Sequence, residues 1–244
     1  MTMSLTEELV ARVRRNIEDA GPAPGLICLE DDDYFAIRRR LLAGRPAGQD
    51  LWVFAYGSLL WNPCFAAAEE RIGTVHGWHR RFSFWLTRWR GTPDRPGLMM
   101  ALDRGGSCRG VLYRLSRDGE EALIDQFLMR EMSANPPTNV PRWVTVRSEG
   151  ETLRAITFVA DRSGPAYAAP HPEEMTVEVL ALAAGHLGSC ADYLRNAVVQ
   201  LESRCIRDTT LWRLQAKVAA YIAALPLDVP MPKSRMEISH ACEG

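Results

Sequence analysis

The sequence predicts an α+β protein: a small β-barrel with surrounding helices and a helical C-terminal region. Three observations predict it. Between residues 51 and 160, segments rich in branched and aromatic residues recur at short spacing, as they do in small barrels and strongly curved sheets. One amphipathic segment, "DGEEALIDQFLMRE", interrupts them. From about Met175 onward the apolar spacing becomes helical.

The 244 residues suit one large domain or one domain with extensions. Apolar content is 47% and charged content 24%, ordinary for a globular chain. The formal net charge of −1 offers no overall field to attract nucleic acid or an acidic membrane. Six cysteines stand at wide, irregular spacing without a CxxC pair, so neither a disulfide framework nor a zinc site is expected. The first residues, "MTMSLTEELVARVRR", are charged and amphipathic rather than leader-like. No apolar run approaches the ~18 residues of a membrane span. A cytoplasmic protein is the expectation.

Residues 1–50 read as a helical N-terminal extension. "LTEELVARVRRNIEDAG" places Leu5, Leu9 and Val13 on one face and stops at Gly21-Pro22. A second helix is expected over Asp33–Leu42, with an acidic run at its positive end. The domain proper is expected at 51–224. "LWVFAY" reads as a buried strand, followed by "RIGTVHGWHR", "RFSFWLT", "GLMMALD", "CRGVLYRL", "RWVTVRS" and "TLRAITFVA". The interrupting helix is expected to start at Asp118, with Glu121 completing a capping box. "SCADYLRNAVVQLES" has Ser189 as its cap and Leu194, Val198 and Leu201 as its buried stripe. Residues 225–244 read as a Pro-rich tail.

Candidate chemistry follows from position. Ile124, Phe127 and Leu128 mark the inward face of the middle helix, and Glu131 is the next position on it. A buried carboxylate has a raised pKa, as a general base at neutral pH requires. Periodicity alone leaves two other readings open: a frayed end facing water, or an ion pair with an arginine. Tyr56-Gly57-Ser58-Leu59 closes a buried strand, and free amides at such a turn suit a carboxylate or oxyanion. A plain strand-end turn fits the same residues. Arg88, Arg90 and Arg95 sit in a Gly/Pro loop that suits an acidic ligand, a pocket rim or a plain solvated loop. His76 and His79 lie on opposite faces of a strand, wrong for shared metal ligation. No metal or other cofactor is expected.

The ordered set "VFAYGSLLWNP", "RIGTVHGWHRRF", "RGTPDRPG", "CRGVLYRL", "FLMREM", "RWV" and "GSCADYLRNAVVQLESRCIRDTTLWRLQ" resembles the ChaC-like γ-glutamylcyclotransferases, in their glutathione-specific branch. The resemblance spans roughly Leu51 to Val218. It implies the γ-glutamylcyclotransferase-like fold and conversion of glutathione to 5-oxoproline and Cys-Gly. It implies that Tyr56, Gly57, Ser58 and Leu59 hold the γ-glutamyl end and that Glu131 is the catalytic base. Many relatives place a glycine and a tyrosine shortly after that glutamate. Here "MSANPPTNVPRW" follows instead, which makes Tyr167 a candidate for the aromatic wall or hydroxyl donor; from the arginine loop, Arg88 is a candidate substrate contact. Substrate preference is the point this departure touches most. The alternatives are a cyclotransferase for other γ-glutamyl peptides or amines, and a non-enzymatic binding or regulatory protein on the same fold. The partner in each enzymatic case is a small molecule, with neither nucleic acid nor membrane expected. Oligomeric state is not legible in the sequence.

Overall fold

The computed structural model describes residues 2–226; the tail expected at 225–244 lies almost wholly outside the described residues. In chain order the elements are α1 (Glu7–Arg12), β1 (Ile27–Cys28), α2 (Asp31–Ala43), β2 (Trp52–Ala55), a 3-10 turn (Ser58–Leu60), β3 (Ala67–Leu86), β4 (Gly97–Leu115), α3 (Glu120–Glu131), β5 (Ala134–Asn135), β6 (Asn139–Ser148), β7 (Glu151–Ala160), α4 (Glu173–Leu182), β8 (Ala184–Gly185), β9 (Gly188–Ser189), α5 (Cys190–Glu202) and α6 (Thr209–Ala223).

Five strands close a barrel in the order β2-β4-β3-β6-β7. β2 completes it by pairing parallel to β7 through Val53 and Ile156. The segments expected as four separate strands are two long ones, β3 and β4, paired antiparallel along their length. Register shifts interrupt that ladder at His76/Trp78 and Phe82/Phe84. Gly77, at φ 81°, occupies the first of these irregularities, and only glycine adopts that backbone freely. These bulges give the long pair the curvature that closure requires.

Phe54, Leu102, Leu112, Ile156 and Phe158 are fully buried, and α3 is fixed to them through Phe127, whose ring lies 4.9 Å from that of Phe158 in an edge contact. Ile124, Phe127 and Leu128 are 0–1% exposed, so the helix presents the face its period predicts. Its start differs from expectation. Gly119, at φ 71°, is the cap residue, without a side-chain cap bond. Asp118 lies one residue too early to cap, and its amide donates to Ser116 Oγ instead. Ser189 caps α5 as expected, accepting from the Asp192 amide at 3.1 Å, and Leu194, Val198 and Leu201 are buried.

The extension is less helical than its pattern. α1 ends at Arg12, capped at its start by Thr6. Leu5, Val10 and Val13 are buried, and the Leu5 amide donates to Gln215 Oε1 of α6 at 2.8 Å. Beyond Val13 the chain leaves helix and runs on as irregular backbone with a turn before β1, because packing on α6 supports only the first turns. α2 begins two residues earlier than expected, with Asp33 reaching back to the Glu30 amide at 2.9 Å. Cys108 and Cys190 are buried, and burial pushes both thiols up to about 11; Cys28 and Cys205 are exposed.

Candidate active site

A cleft of about 690 Å³ opens where the end of β2, the C-terminus of α3 and the start of α5 meet. Tyr56, Gly57, Ser58 and Leu59 line one side and Glu131 another. The backbone entering the turn is fixed from two directions. Thr157 Oγ1 donates to the Phe54 carbonyl at 2.8 Å, and the buried Arg80 donates through Nε to the Tyr56 carbonyl at 2.7 Å. Gly57 has a negative φ of −137°, so the positive φ that a glycine permits is not what the turn uses. Close approach is: a Cβ on Gly57 would lie 3.0 Å from the Tyr193 hydroxyl.

Glu131 is the last residue of α3. The inward reading and the ion-pair reading hold together. The carboxylate faces the cleft, with 18% of the side chain exposed, and it pairs with Arg130 at 3.1 Å. Arg130 is a fork. Its Nε serves Glu131, its Nη2 donates to Ser58 Oγ at 3.1 Å, and its Nη1 donates to the Asn62 carbonyl. One guanidinium thus joins the end of α3 to the turn after β2. Burial raises the Glu131 pKa above the ordinary carboxylate value, and Arg130 opposes that rise without cancelling it.

Two phenols share the site. Tyr56 and Tyr193 are 9% and 3% exposed. Burial, then the Glu131 charge, pushes both well above their ordinary value. Both therefore stay protonated and able to donate. Tyr193 is held by an edge contact with Trp61 at 5.1 Å and by the Arg90 guanidinium, 5.3 Å from its ring centre.

The arginine loop divides its residues. Arg90 lines the cleft, donating to Ser189 O at 2.8 Å and pairing with Asp192 at 3.2 Å. Arg88 does not line it; its guanidinium is bidentate to Asp19 at 2.6 and 2.7 Å. Between them Trp89 lines the cleft at φ 61°, a strained backbone for a bulky residue. Tyr167 is also outside the cleft. Its hydroxyl donates to buried Asp103 at 2.8 Å within a network that includes Arg81 and Arg162. Tyr193 and Trp61, in edge contact with each other, are among the aromatic residues that line the cleft with Glu131. His79 Nδ1 lies 3.0 Å from the Gly105 carbonyl. Among the described residues no group of three or more His, Cys, Asp or Glu is arranged to hold a metal, and no helix is long and apolar enough to cross a membrane.

Residue-by-residue patterns single out neither Arg130 nor Tyr193, and they offer Arg90 only as one of three arginines at a pocket rim. Tyr193 left a usable signal: it falls in the buried stripe of α5, and a buried tyrosine hydroxyl needs a polar partner. Arg130 left only the open reading of an arginine paired with Glu131, because its other partners, Ser58 and Asn62, are remote in sequence.

A family model described as ChaC-like protein matches residues 51–221. The chain belongs to the ChaC-like family. Among curated relatives, the glutathione-specific γ-glutamylcyclotransferase of Escherichia coli K12 is 36% identical over 75% of this chain and 78% of its own length. The glutathione-specific γ-glutamylcyclotransferase 1 of Mus musculus is 32% identical over 60% of this chain and 67% of its own length. Among solved structures, a glutathione-specific γ-glutamyl cyclotransferase from yeast superposes with a TM-score of 0.64 at 20% identity, covering 71% of this chain and 97% of that one. That likeness is one of fold, and it gives this ChaC-like chain the γ-glutamylcyclotransferase architecture. The cleft lies entirely within the matched region.

Proposed function

We propose that this protein is a cytoplasmic glutathione-specific γ-glutamylcyclotransferase, a lyase that converts glutathione to 5-oxoproline and Cys-Gly, with Glu131 as general acid and base. The observation that carries the reading is the Glu131 carboxylate, facing the cleft beside the Tyr56–Leu59 turn with a raised pKa. The printed function of the Escherichia coli relative supports it.

The reaction needs no outside nucleophile. The substrate's α-nitrogen attacks its own γ-carbonyl carbon, a C–N bond closes the five-membered ring, and the bond to the cysteine nitrogen breaks. Two protons leave the α-nitrogen over the whole reaction and two arrive at the departing nitrogen. A carboxylate whose pKa burial has raised holds and releases a proton more evenly than an ordinary one. Glu131 fills that role and finishes ionised, ready for another turnover. Orientation supplies much of the rest, up to about 7–11 kcal/mol in favourable intramolecular cases. The turn that Arg80, Thr157 and Arg130 hold rigid anchors the γ-glutamyl end through the Ser58 hydroxyl and the Leu59 amide, since the Leu60 amide already donates to the Gly57 carbonyl. Tyr193, kept protonated, donates to the oxyanion that develops on the γ-carbonyl.

The test is mass spectrometry of purified protein with glutathione and no added metal. Equal amounts of 5-oxoproline and Cys-Gly are expected, and Glu131→Gln should lower turnover by at least about 100-fold. A variant retaining more than about a tenth of wild-type activity would remove Glu131 as the base. A wild-type protein that spares glutathione but cyclises a γ-glutamyl dipeptide or amine would keep the reaction and change the substrate. Silence toward all of them would leave a binding protein.

A further inference from the structure

The residues before Leu51 lie outside the family match, yet they bond to two separate stretches of chain that line the cleft. At the first, Asp19 accepts the two hydrogen bonds from Arg88, and its Oδ1 lies 3.4 Å from His186 Nδ1. Arg88 and His186 each precede a lining residue, Trp89 and Leu187. The Leu187 amide donates to the Trp89 carbonyl at 2.8 Å, so the two lining residues are joined directly beneath the pair that Asp19 holds.

At a second part of the lining, the same extension holds the backbone that leaves Glu131. The Tyr34 hydroxyl donates to the Met132 carbonyl at 2.7 Å in a buried bond, and the Leu29 amide donates to the Ser133 carbonyl at 3.3 Å. β1 pairs with β5 immediately beyond, Cys28 against Ala134. Met132 and Ser133 line the cleft. Between the two grips runs Gly21-Pro22-Ala23-Pro24-Gly25, and two prolines in five residues stiffen the connection.

We infer that residues 19–34 form a tie between these two stretches of the lining, with Asp19 and Tyr34 as positioning residues at its ends, and that this tie fixes the cleft's width and so the length of γ-glutamyl peptide it admits. The choice of ligand rests on the reaction proposed above; the tie itself does not. Releasing either end slackens the same element, so the two ends act as a unit on the stretch that leaves Glu131.

The experiment uses the full chain with Asp19→Ala, Tyr34→Phe and the double variant. The first readout is hydrogen exchange, which is independent of turnover. In Asp19→Ala, exchange of the segment 132–135 should quicken by at least about threefold although Asp19 bonds only to the other stretch, while the β3–β4 ladder stays protected. Unchanged exchange at 132–135 overturns the tie. The second readout is kinetic. Each single variant should raise KM for glutathione by about fivefold or more with kcat within about twofold, and the double should be no worse than the worse single. A γ-glutamyl tetrapeptide should gain on glutathione in all three. An unchanged preference between the two peptides, or single effects that multiply in the double, overturns the width assignment. If the wild type yields no 5-oxoproline from any γ-glutamyl compound, the proposed reaction fails and the exchange result alone decides the tie.

Discussion

Glu131 carries two opposed influences, burial that raises its pKa and the Arg130 guanidinium that lowers it. Their balance sets the pH at which the carboxylate can accept a proton. Activity that depends on ionised Glu131 is lost as pH falls through its raised pKa. Arg130→Met removes the opposing charge, so the acid limb of the kcat/KM profile should move to higher pH. Arg130→Lys keeps a charge without the fork to Ser58 and Asn62 and should move the limb less. A limb that stays in place in Arg130→Met would mean that another group controls it. The inward position of Glu131 was legible from three apolar neighbours at helical spacing. Its arginine partner was legible only as one of several readings, because adjacent helix residues do not face each other, and the pairing depends on how the long Arg130 side chain folds back toward the turn.

At the scale of elements, α3 is placed by Phe127 against Phe158, and this contact sets Glu131 one turn later at the rim of the barrel. β4 is held to β3 and to the segment after β7 by Asp103, which is 1% exposed and bonded to Arg81, Arg162, Tyr167 and the Arg104 amide. These partners hold its carboxyl far below the ordinary value despite burial. A depressed pKa contributes stability that is present above the unfolded value and lost as pH falls through the folded one. Asp103→Asn should cost about 3–5 kcal/mol in urea unfolding at neutral pH, the usual consequence of breaking a buried ion pair. Turnover per folded molecule should stay within about twofold, since Asp103 lies outside the cleft. A large loss of kcat without loss of stability would put the network in the chemistry. The cap of α5 was readable because Ser189 and Asp192 are local partners; the start of α3 was not, because a glycine turn at Gly119 displaced the favoured Asp118.

Across the whole molecule, closure of the barrel brings the end of β2, the end of α3 and the start of α5 to one cleft. The cleft has an energetic consequence that unfolding can read. Glu131 has a raised pKa in the folded state, so its contribution to stability is fully present below the unfolded value and is lost as pH rises through the folded one. Glu131→Gln lacks that loss. Its urea midpoint should therefore rise relative to wild type between acidic and neutral pH, while its activity disappears. A midpoint difference independent of pH would mean that the carboxylate is not desolvated.

The sequence by itself determined the alternation of strand and helix, the inward face of α3 with Glu131 on it, the glycine turn after the first barrel strand, and the family resemblance. Each is written in local periodicity or in a contiguous motif. Only the tertiary structure decided that Arg88 belongs to Asp19, that Tyr167 belongs to Asp103, and that Arg130, Tyr193 and Arg90 complete the cleft. Those choices join residues 64 to 102 positions apart along the chain in three of the bonds concerned: Tyr167 to Asp103, Arg88 to Asp19 and Arg90 to Asp192. A side chain's partner at that distance is set by how the barrel closes and which elements it brings face to face, and no spacing rule within one element contains that information.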